Sequence, residues 1–322
     1  MGHLQKILDR FRGKRVMVIG DSMLDKYVWG EVSRISPEAP VQVVDVQRES
    51  YAPGGATNVA MNAAALGARV RMMGITGDDE ARKVLLRLLE EGGISVEGML
   101  IEKDKPTTLK MRVMARSQQL LRVDYEKRAH SHPEIEKRLI AAVAESVDGT
   151  DAIIISDYAK GVVTKKLMET LLGMARKEGK IVIIDPKPQH KGLYKGATLI
   201  TPNHAEACQM ADAELDNGDG VEEMGRKLAK ELDAHILLTR GEKGMSLCRK
   251  DGGVVTIPAR AKEVYDVTGA GDTVVAAAAI ALAAGASFED AASIANHAAG
   301  IKVGKIGTST VTVEELRQSL SS

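Results

Sequence analysis

Asp272 lies in the run Thr268-Gly269-Ala270-Gly271-Asp272-Thr273, where three small residues in a row let the backbone pass close to a ligand. The alanine-rich stretch over 274–284 then begins a helix. A small-residue turn opening a helix is a ready anion site, because unpaired N–H groups and the positive end of the dipole face the ligand. A carboxylate beside an anion adds nothing to binding alone. It has a use if it takes a proton from a hydroxyl that then attacks a phosphate. The same residues also fit a plain tight turn with Asp as an N-cap.

Four other stretches carry groups suited to such a site. In Pro53-Gly54-Gly55-Ala56-Thr57-Asn58, two glycines admit close backbone approach, and Asn58 both donates and accepts, which suits sugar hydroxyls. A strand-to-helix turn with a capping Asn explains this stretch equally well. In Gly20-Asp21-Ser22-Met23-Leu24-Asp25, two carboxylates follow the first strand, where ligand groups cluster in α/β proteins. Asp25 can accept from two neighbouring hydroxyls, whereas Asp21 and Ser22 read as turn chemistry. In Thr201-Pro202-Asn203-His204-Ala205-Glu206, Asn203 caps a helix and Glu206 lies near the capping-box position. The functional alternative has Asn203 and Glu206 organise hydrated Mg²⁺ at nucleotide phosphates, since Mg²⁺ prefers oxygen ligands and keeps waters. Thr239-Arg240-Gly241-Glu242-Lys243-Gly244 is a strand end and a Gly-bracketed turn that can line a nucleotide. His130, His132, His190, His204, His235 and His297 show no paired metal spacing and read as structural or solvated. There is no Gly-x-Ser-x-Gly and no Gly-x-x-x-x-Gly-Lys-[Ser/Thr], which argues against an α/β-hydrolase and a P-loop NTPase.

The elements that must position these groups follow from apolar periodicity and breakers. Strands are expected over 15–20, 41–46, 69–74, 151–156, 180–185, 198–201 and 235–239, with a hairpin over 245–257 around Asp251-Gly252-Gly253. Helices are expected over 56–66, from an N-cap at Asp78 through 91, and over 133–147, 164–178, 222–232, 272–284, 288–303 and 313–320. Leu4, Ile7, Leu8 and Phe11 fall on one face of a short N-terminal amphipathic helix. The alternation implies a doubly wound, mostly parallel sheet with helices on both faces. The β-rich parts over 27–48 and 107–125 do not fit that alternation. Neither makes a core by itself, so they are expected to pair as a small β-sheet lid over the carboxyl edge of the main sheet, within a single domain over 1–322. The lid's exposed face is a candidate surface for a second subunit.

Bulk properties narrow the partners. The 322 residues suffice for one large α/β domain or two small ones. Lys+Arg and Asp+Glu are both 44, so no net charge favours nucleic acid or an anionic membrane, and an anionic substrate must be held by local cations. Cys208 and Cys248 fit neither a ligand spacing nor a disulfide framework. No apolar run reaches the roughly 20 residues that span a bilayer, and residues 1–14 lack a secretory apolar region. A cytoplasmic location is expected.

Taken together, the motifs resemble a known family. Gly54-Gly55 with Asn58, then Gly67 and Gly77, resembles the first signature of the ribokinase-like (PfkB) carbohydrate kinases. Asp266-Val267-Thr268-Gly269-Ala270-Gly271-Asp272 resembles the second, and Asn203-x-x-Glu206 the family's Asn-x-x-Glu. Their order and separation are the family's, over nearly the whole chain. The stretches 20–25, 35–41, 119–124, 156–161 and 185–187 resemble more narrowly the heptose-phosphate kinases of lipopolysaccharide core synthesis. That resemblance implies ATP-dependent phosphorylation of the anomeric (C1) hydroxyl of D-glycero-β-D-manno-heptose 7-phosphate, with Mg²⁺, a monovalent cation as an option, and a homodimer through the lid. Some such kinases are fused to a nucleotidyltransferase. This sequence shows no His-x-Gly-His segment, so it is expected to be a kinase-only enzyme or the kinase portion of a fusion.

Carried onto this sequence, the resemblance makes Asp272 the general base and the N–H groups of Gly269, Ala270 and Gly271 the anion hole. Glu206 and Asn203 orient Mg²⁺ through water, Thr239, Gly241 and Gly244 border the nucleotide, and Asn296 lies near the adenine. Asp25, Gly54, Gly55 and Asn58 hold the sugar. Arg34, Arg122, Lys160 and Lys187 are candidates for its distant phosphate, with Arg122 and Lys187 preferred. One departure is Tyr158-Ala159-Lys160 in place of Tyr-Gly-Lys, which matters if the turn needs a positive φ. The rival functions are a kinase of another sugar phosphate or nucleoside, and a non-catalytic sugar- or nucleotide-binding regulator. An acidic Asp272 against the γ-phosphate would serve neither binding nor regulation.

Overall fold

The computed structural model describes residues 2–321 except 116–117, 128, 130, 214–219, 261–262 and 306. His130 lies outside the described residues. In chain order the elements are α1 Gly2–Leu8, β1 Arg15–Gly20, β2 Ser22–Ile35, β3 Gln42–Gly55, α2 Ala56–Ala65, β4 Arg69–Thr76, α3 Glu80–Glu91, β5 Ser95–Ile101, β6 Thr108–Ala115 and β7 Gln118–Tyr125. They continue with α4 Pro133–Val147, β8 Ala152–Ser156, α5 Lys165–Lys177, β9 Ile181–Asp185, β10 Leu199–Ile200, α6 His204–Ala211, α7 Val221–Leu232, β11 His235–Thr239, β12 Met245–Cys248 and β13 Val254–Ile257. Helices α8 Ala270–Ala283, α9 Phe288–Val303 and α10 Val313–Ser321 complete the chain.

The main sheet runs β13-β12-β11-β10-β9-β8-β1-β4-β5, parallel from β11 to β5, with β12 and β13 added antiparallel at one edge. The inner parallel strands β1, β8, β9 and β11 are buried on both faces through their middles, so their sequences are continuous Ile/Val/Leu/Met runs, whereas β4 and β5 towards the edge carry exposed Arg69, Arg71 and Glu97. Within β1, Val16 and Val18 pack with α2, α8 and α9, while Met17 and Ile19 pack with α4, α5 and α7. The period-2 pleat therefore divides one strand between two cores. Burying each aliphatic side chain of these layers contributes about 1.5–3 kcal/mol. Helix α8 is buried along nearly its whole length, Asp272 through Leu282. Its alanines let it lie close to the sheet and to α2 and α9, so a larger side chain at Ala277 would overpack by about 1–3 kcal/mol.

A second sheet, β3-β2-β6-β7, is mixed: β2 pairs antiparallel with β3 and parallel with β6, and β6 antiparallel with β7. The two β-rich segments do pair, but the sheet is larger than 27–48 and 107–125. Strand β2 begins at Ser22, directly after β1, and β3 runs on to Gly55. The start of β2, from Ser22 to Asp25, is buried, so it lacks the alternation that marks a half-exposed strand. Strand β5, by contrast, joins the main sheet beside β4. The N-cap of α3 is Asp79, not Asp78, because the Asp79 carboxylate accepts from Arg82 N at 2.9 Å and from Thr107 N at 2.8 Å, which fixes the cap one residue later. Among the described residues no helix is long and apolar enough to cross a membrane.

Candidate active site

The carboxyl ends of β1, β8, β9 and β11 converge on the N-terminus of α8, which is where open α/β sheets bind ligands. The turn that opens α8 has Gly269 at its N-cap with φ 75°, a left-handed conformation. A Cβ there would lie 2.7 Å from Asn58 Nδ2, so glycine is required both for the φ and for the approach. A Cβ on Gly271 would meet nothing within 4 Å, so this face of the turn is open to a ligand.

Asp272, in the first turn of α8, is only 6% exposed. Its Oδ2 accepts from Asn58 Nδ2 at 2.5 Å and its Oδ1 from the Tyr158 hydroxyl at 3.0 Å. Burial pushes its pKa up to about 6, while those two bonds favour the charged form and hold it down. A carboxylate titrating there is a competent proton acceptor at neutral pH. Burial, with Asp272 and Asp185 nearby, raises the Tyr158 phenol well above its ordinary value, so it remains a donor. Asp185, at the end of β9, is also raised well above the carboxylate range by burial and by Asp272 and Glu206.

Behind Asp272 runs a buried polar relay. Asn62 donates to Asn58 O at 2.9 Å, one helical turn away, and Thr273 Oγ1 donates to Asn62 Oδ1 at 2.8 Å. Asn58, expected to face a sugar, donates one amide hydrogen to Asp272. The relay satisfies polar groups that would be costly if left unpaired at the α2–α8 contact.

Tyr158 is aimed by the loop after β8. Asp21 accepts from the N–H groups of Tyr158, Lys160 and Val162 at 2.9, 3.1 and 3.1 Å, so its carboxylate organises a distant loop, whereas the sequence suggested a local turn. Ala159 has φ 54°, so the turn does need a positive φ, and the substitution for Gly carries strain. On the far side of the loop, Asp157 accepts from the Tyr194 hydroxyl at 2.7 Å, and that hydroxyl accepts from Lys187 N at 2.8 Å.

Two adjoining clefts meet at Thr239 and Gly271. The smaller, about 200 Å³, is polar and contains Asp272, Tyr158, Asp185, Lys187, Asn203 and Glu206. Asn203 and Glu206 form a full capping box on α6, and Glu206 Oε1 also accepts from Lys187 Nζ at 2.6 Å. Glu206 and Asp185 are carboxylates available to a cation there, beside the oxygens of Asn203 and Asp272. Among the described residues no three His, Cys, Asp or Glu side chains are grouped to hold a metal ion. That donor set fits Mg²⁺, which binds through one or two carboxylates plus waters and substrate phosphates. The larger cleft, about 490 Å³, is mainly apolar, with Val264, Val267, Val274 and Val303 among its walls. Thr239, Gly241, Gly244 and Asn296 line it, and Asn296 Nδ2 donates to Pro258 O at 2.8 Å.

On the other side of Asp272, Asp25 accepts from Arg112 Nη1 at 2.6 Å, and a Cβ on Gly54 would lie 2.7 Å from Asp25 Oδ2. Gly55, with φ 56°, ends β3 and caps α2. The register puts Asp25, Lys110 and Asp124 in one row across β2, β6 and β7, and Tyr27, Arg112 and Arg122 in the next row of the same face. The four expected phosphate cations are not all together, although Asp124, Lys110 and Glu126 link Arg122 to Lys160 in one charge network. Lys187 belongs to the cleft with Glu206, Arg122 lies on the small sheet beside Asp124, Lys160 is buried against Glu126, and Arg34 is exposed near the end of β2.

Tyr158, Asp185, Asn62 and Arg112 were not among the site residues expected from sequence. Tyr158 and Asp185 fall inside stretches that carry the resemblance, and Asn62 is four residues after Asn58. Arg112 had no local signal, because only strand pairing brings it to Asp25.

Residues 14–315 match the model of the pfkB family carbohydrate kinases. The bifunctional protein HldE of Geobacter sulfurreducens is 45% identical over 305 residues, covering 94% of this chain and 62% of that protein. The bifunctional protein HldE of Pseudomonas syringae pv. syringae is 46% identical over 314 residues, covering 97% and 65%. The chain therefore spans less than two thirds of the length of these relatives. Phosphofructokinase-2 from Escherichia coli in complex with potassium has the same fold, with a TM-score of 0.80 at 19% identity, covering 96% of this chain and 98% of that one. Arabidopsis thaliana ribokinase complexed with ribose and ATP superposes with a TM-score of 0.76 at 18% identity, covering 97% and 99%. The match across 14–315, over the fold and turn described above, makes this chain a member of the pfkB family of carbohydrate kinases.

Proposed function

We propose that this chain transfers the γ-phosphoryl group of ATP to the anomeric hydroxyl of D-glycero-β-D-manno-heptose 7-phosphate, giving the 1,7-bisphosphate. The observation that carries the reading is Asp272: a buried carboxylate with pKa near 6, in the first turn of a helix whose open N-terminus joins a polar and an apolar cleft. The HldE relatives support the sugar.

In this reading the nucleotide lies in the larger cleft along Thr239, Gly241, Gly244 and Asn296, and its phosphates reach Gly269–Gly271. Lys187 neutralises phosphate charge from the polar cleft, a different task from holding the sugar's own phosphate. Asp185, Glu206 and Asn203 would hold Mg²⁺ and its waters, and the ion would neutralise charge on the phosphates and orient them. Asp25, aligned by Arg112, holds sugar hydroxyls together with the backbone of Gly54 and Gly55. Asn58 and Tyr158 fix the Asp272 carboxylate so that it takes the proton of the attacking hydroxyl. Arg122, on the same sheet face as Asp25, reaches towards the distant phosphate. Catalysis here is positioning plus fixed charge, as a loose phosphoryl-transfer transition state requires.

The small sheet serves as the lid, all within one kinase domain. Its exposed apolar residues Ile35, Val41, Val46, Leu121 and Tyr125 suit a homodimer through this sheet. The test is a coupled ADP-release assay across sugar phosphates, unphosphorylated sugars and nucleosides. Preference for a 7-phosphorylated heptose supports the reading, and preference for any other class overturns it. Light scattering checks the dimer.

A further inference from the structure

Lys302, in the last turn of α9, is fully buried at 0% exposure. An ammonium is rarely placed so deep unless its charge is used, because desolvation strongly disfavours it. Its Nζ donates to Gly307 O at 2.7 Å, and among the described residues that hydrogen-bond partner is a neutral carbonyl. Asp266 and Asp272 act on it electrostatically. Asp266 in turn accepts from Thr268 N and Gly307 N, both at 2.9 Å, so it links the approach to α8 with the segment after α9. Lys305, close in sequence, is differently placed: it pairs with Glu315 at 2.6 Å.

The position of Lys302 relative to the anion turn is what gives it a task. A Cβ built on Gly269 would lie 3.8 Å from Lys302 Cε, and the same point is 2.7 Å from Asn58 Nδ2 and 3.7 Å from Asp272 Oδ2. The end of the lysine side chain therefore lies beside Gly269, together with Asn58 Nδ2 and Asp272 Oδ2, while the Gly271 position of the same turn stays open to a ligand.

We propose that Lys302 is a built-in cation, a positioning residue whose fixed charge beside Gly269-Ala270-Gly271 strengthens that turn's hold on the transferring phosphoryl group. The idea rests on the kinase reading above. A fixed charge in a water-excluded site acts over several ångströms and costs no reorganisation during the reaction. It also gives the charge a use at a place where a methionine would pack without a desolvation cost.

The test compares wild type with Lys302→Met, which keeps the bulk and loses the charge, and Lys302→Ala, which leaves room for a small cation. We expect Lys302→Met to keep a wild-type melting temperature or a higher one, to lose roughly tenfold or more in kcat, and to keep its sugar KM within about twofold. In Lys302→Ala, added ethylammonium or potassium restores part of kcat, while the wild type responds to neither. Should Lys302→Met not fold, Lys302→Gln replaces it under the same criteria. Wild-type kcat in the charge-free variant, or a loss in both variants that no cation relieves, overturns the proposal. If the wild type itself releases no ADP with any sugar, the kinase reading has failed. Lys302 is then judged by the binding of ADP with fluoroaluminate: about tenfold weaker binding in Lys302→Met supports its role, and equal binding overturns it.

Discussion

The Tyr158 hydroxyl donates to Asp272 Oδ1 at 3.0 Å, and the loop that makes this possible is held by three N–H bonds to Asp21. The bond favours the ionised carboxylate and so opposes the burial that raises Asp272 to about 6. In the proposed role of base Asp272 must be deprotonated, so the wild-type rate should rise with pH through an apparent pKa near 6. Tyr158→Phe removes a force that lowers this pKa, and the acid limb should move to higher pH. The rate should therefore fall more at pH 6.5 than at pH 8, as a pH–rate profile will report. An unmoved limb would mean that the bond does not tune the base.

Asp272→Asn should lower kcat by about 10² or more, with ATP affinity little changed. The same variant should be more stable than wild type at neutral pH. The folded pKa of this acid is raised above 3.8, so the native state binds the proton more tightly than the unfolded chain, and wild-type stability falls as pH rises from about 4 to 6. The ceiling of the effect is about 3 kcal/mol, from a shift of roughly two units. Urea unfolding at pH 8 and pH 4 should show a gap between variant and wild type at pH 8 that narrows at pH 4.

Arg112 and Arg122 are cross-strand neighbours on the sheet face that carries Asp25, yet they should act differently. Arg112 is bonded to Asp25, so Arg112→Ala should raise KM for phosphorylated and unphosphorylated sugars alike, by roughly tenfold. Arg122→Ala should raise KM only for the phosphorylated sugar, again by about tenfold, the worth of one charge-assisted bond. Steady-state kinetics on the sugar pair separate the two, and an Arg122→Ala effect on both sugars would remove it from the phosphate.

Ala159 holds φ 54°, where a Cβ costs about 1–2 kcal/mol. Ala159→Gly relieves that strain and gives back part of it through the freer unfolded chain, for a net gain of up to about 1 kcal/mol. Ala159→Val should lose about 2 kcal/mol or more and misplace Tyr158, lowering kcat as well. Thermal unfolding and turnover together check both variants.

Much of this was legible along the chain. The main-sheet strands and their helices follow from apolar runs broken by glycine and by capping residues, since those signals are local. The small-residue turn that opens α8 and its buried carboxylate were legible for the same reason: Gly269 to Asp272 are consecutive, and a left-handed glycine before a helix is a short-range requirement. What the tertiary structure decided is who stands beside whom. Nothing near Asn58 in sequence points to Asp272; packing α2 against α8 brings its amide there. Nor does sequence pair Lys187 with Glu206; the segment anchored by Tyr194 does. Arg112 and Lys302 gave no local signal at all. Cross-strand register brings the first to Asp25, and the crossing of α9 behind α8 brings the second to Gly269. A sequence records which groups are available at each position. Their pKa values, partners and tasks depend on desolvation and on contacts between distant segments, and those exist only once the layers have packed.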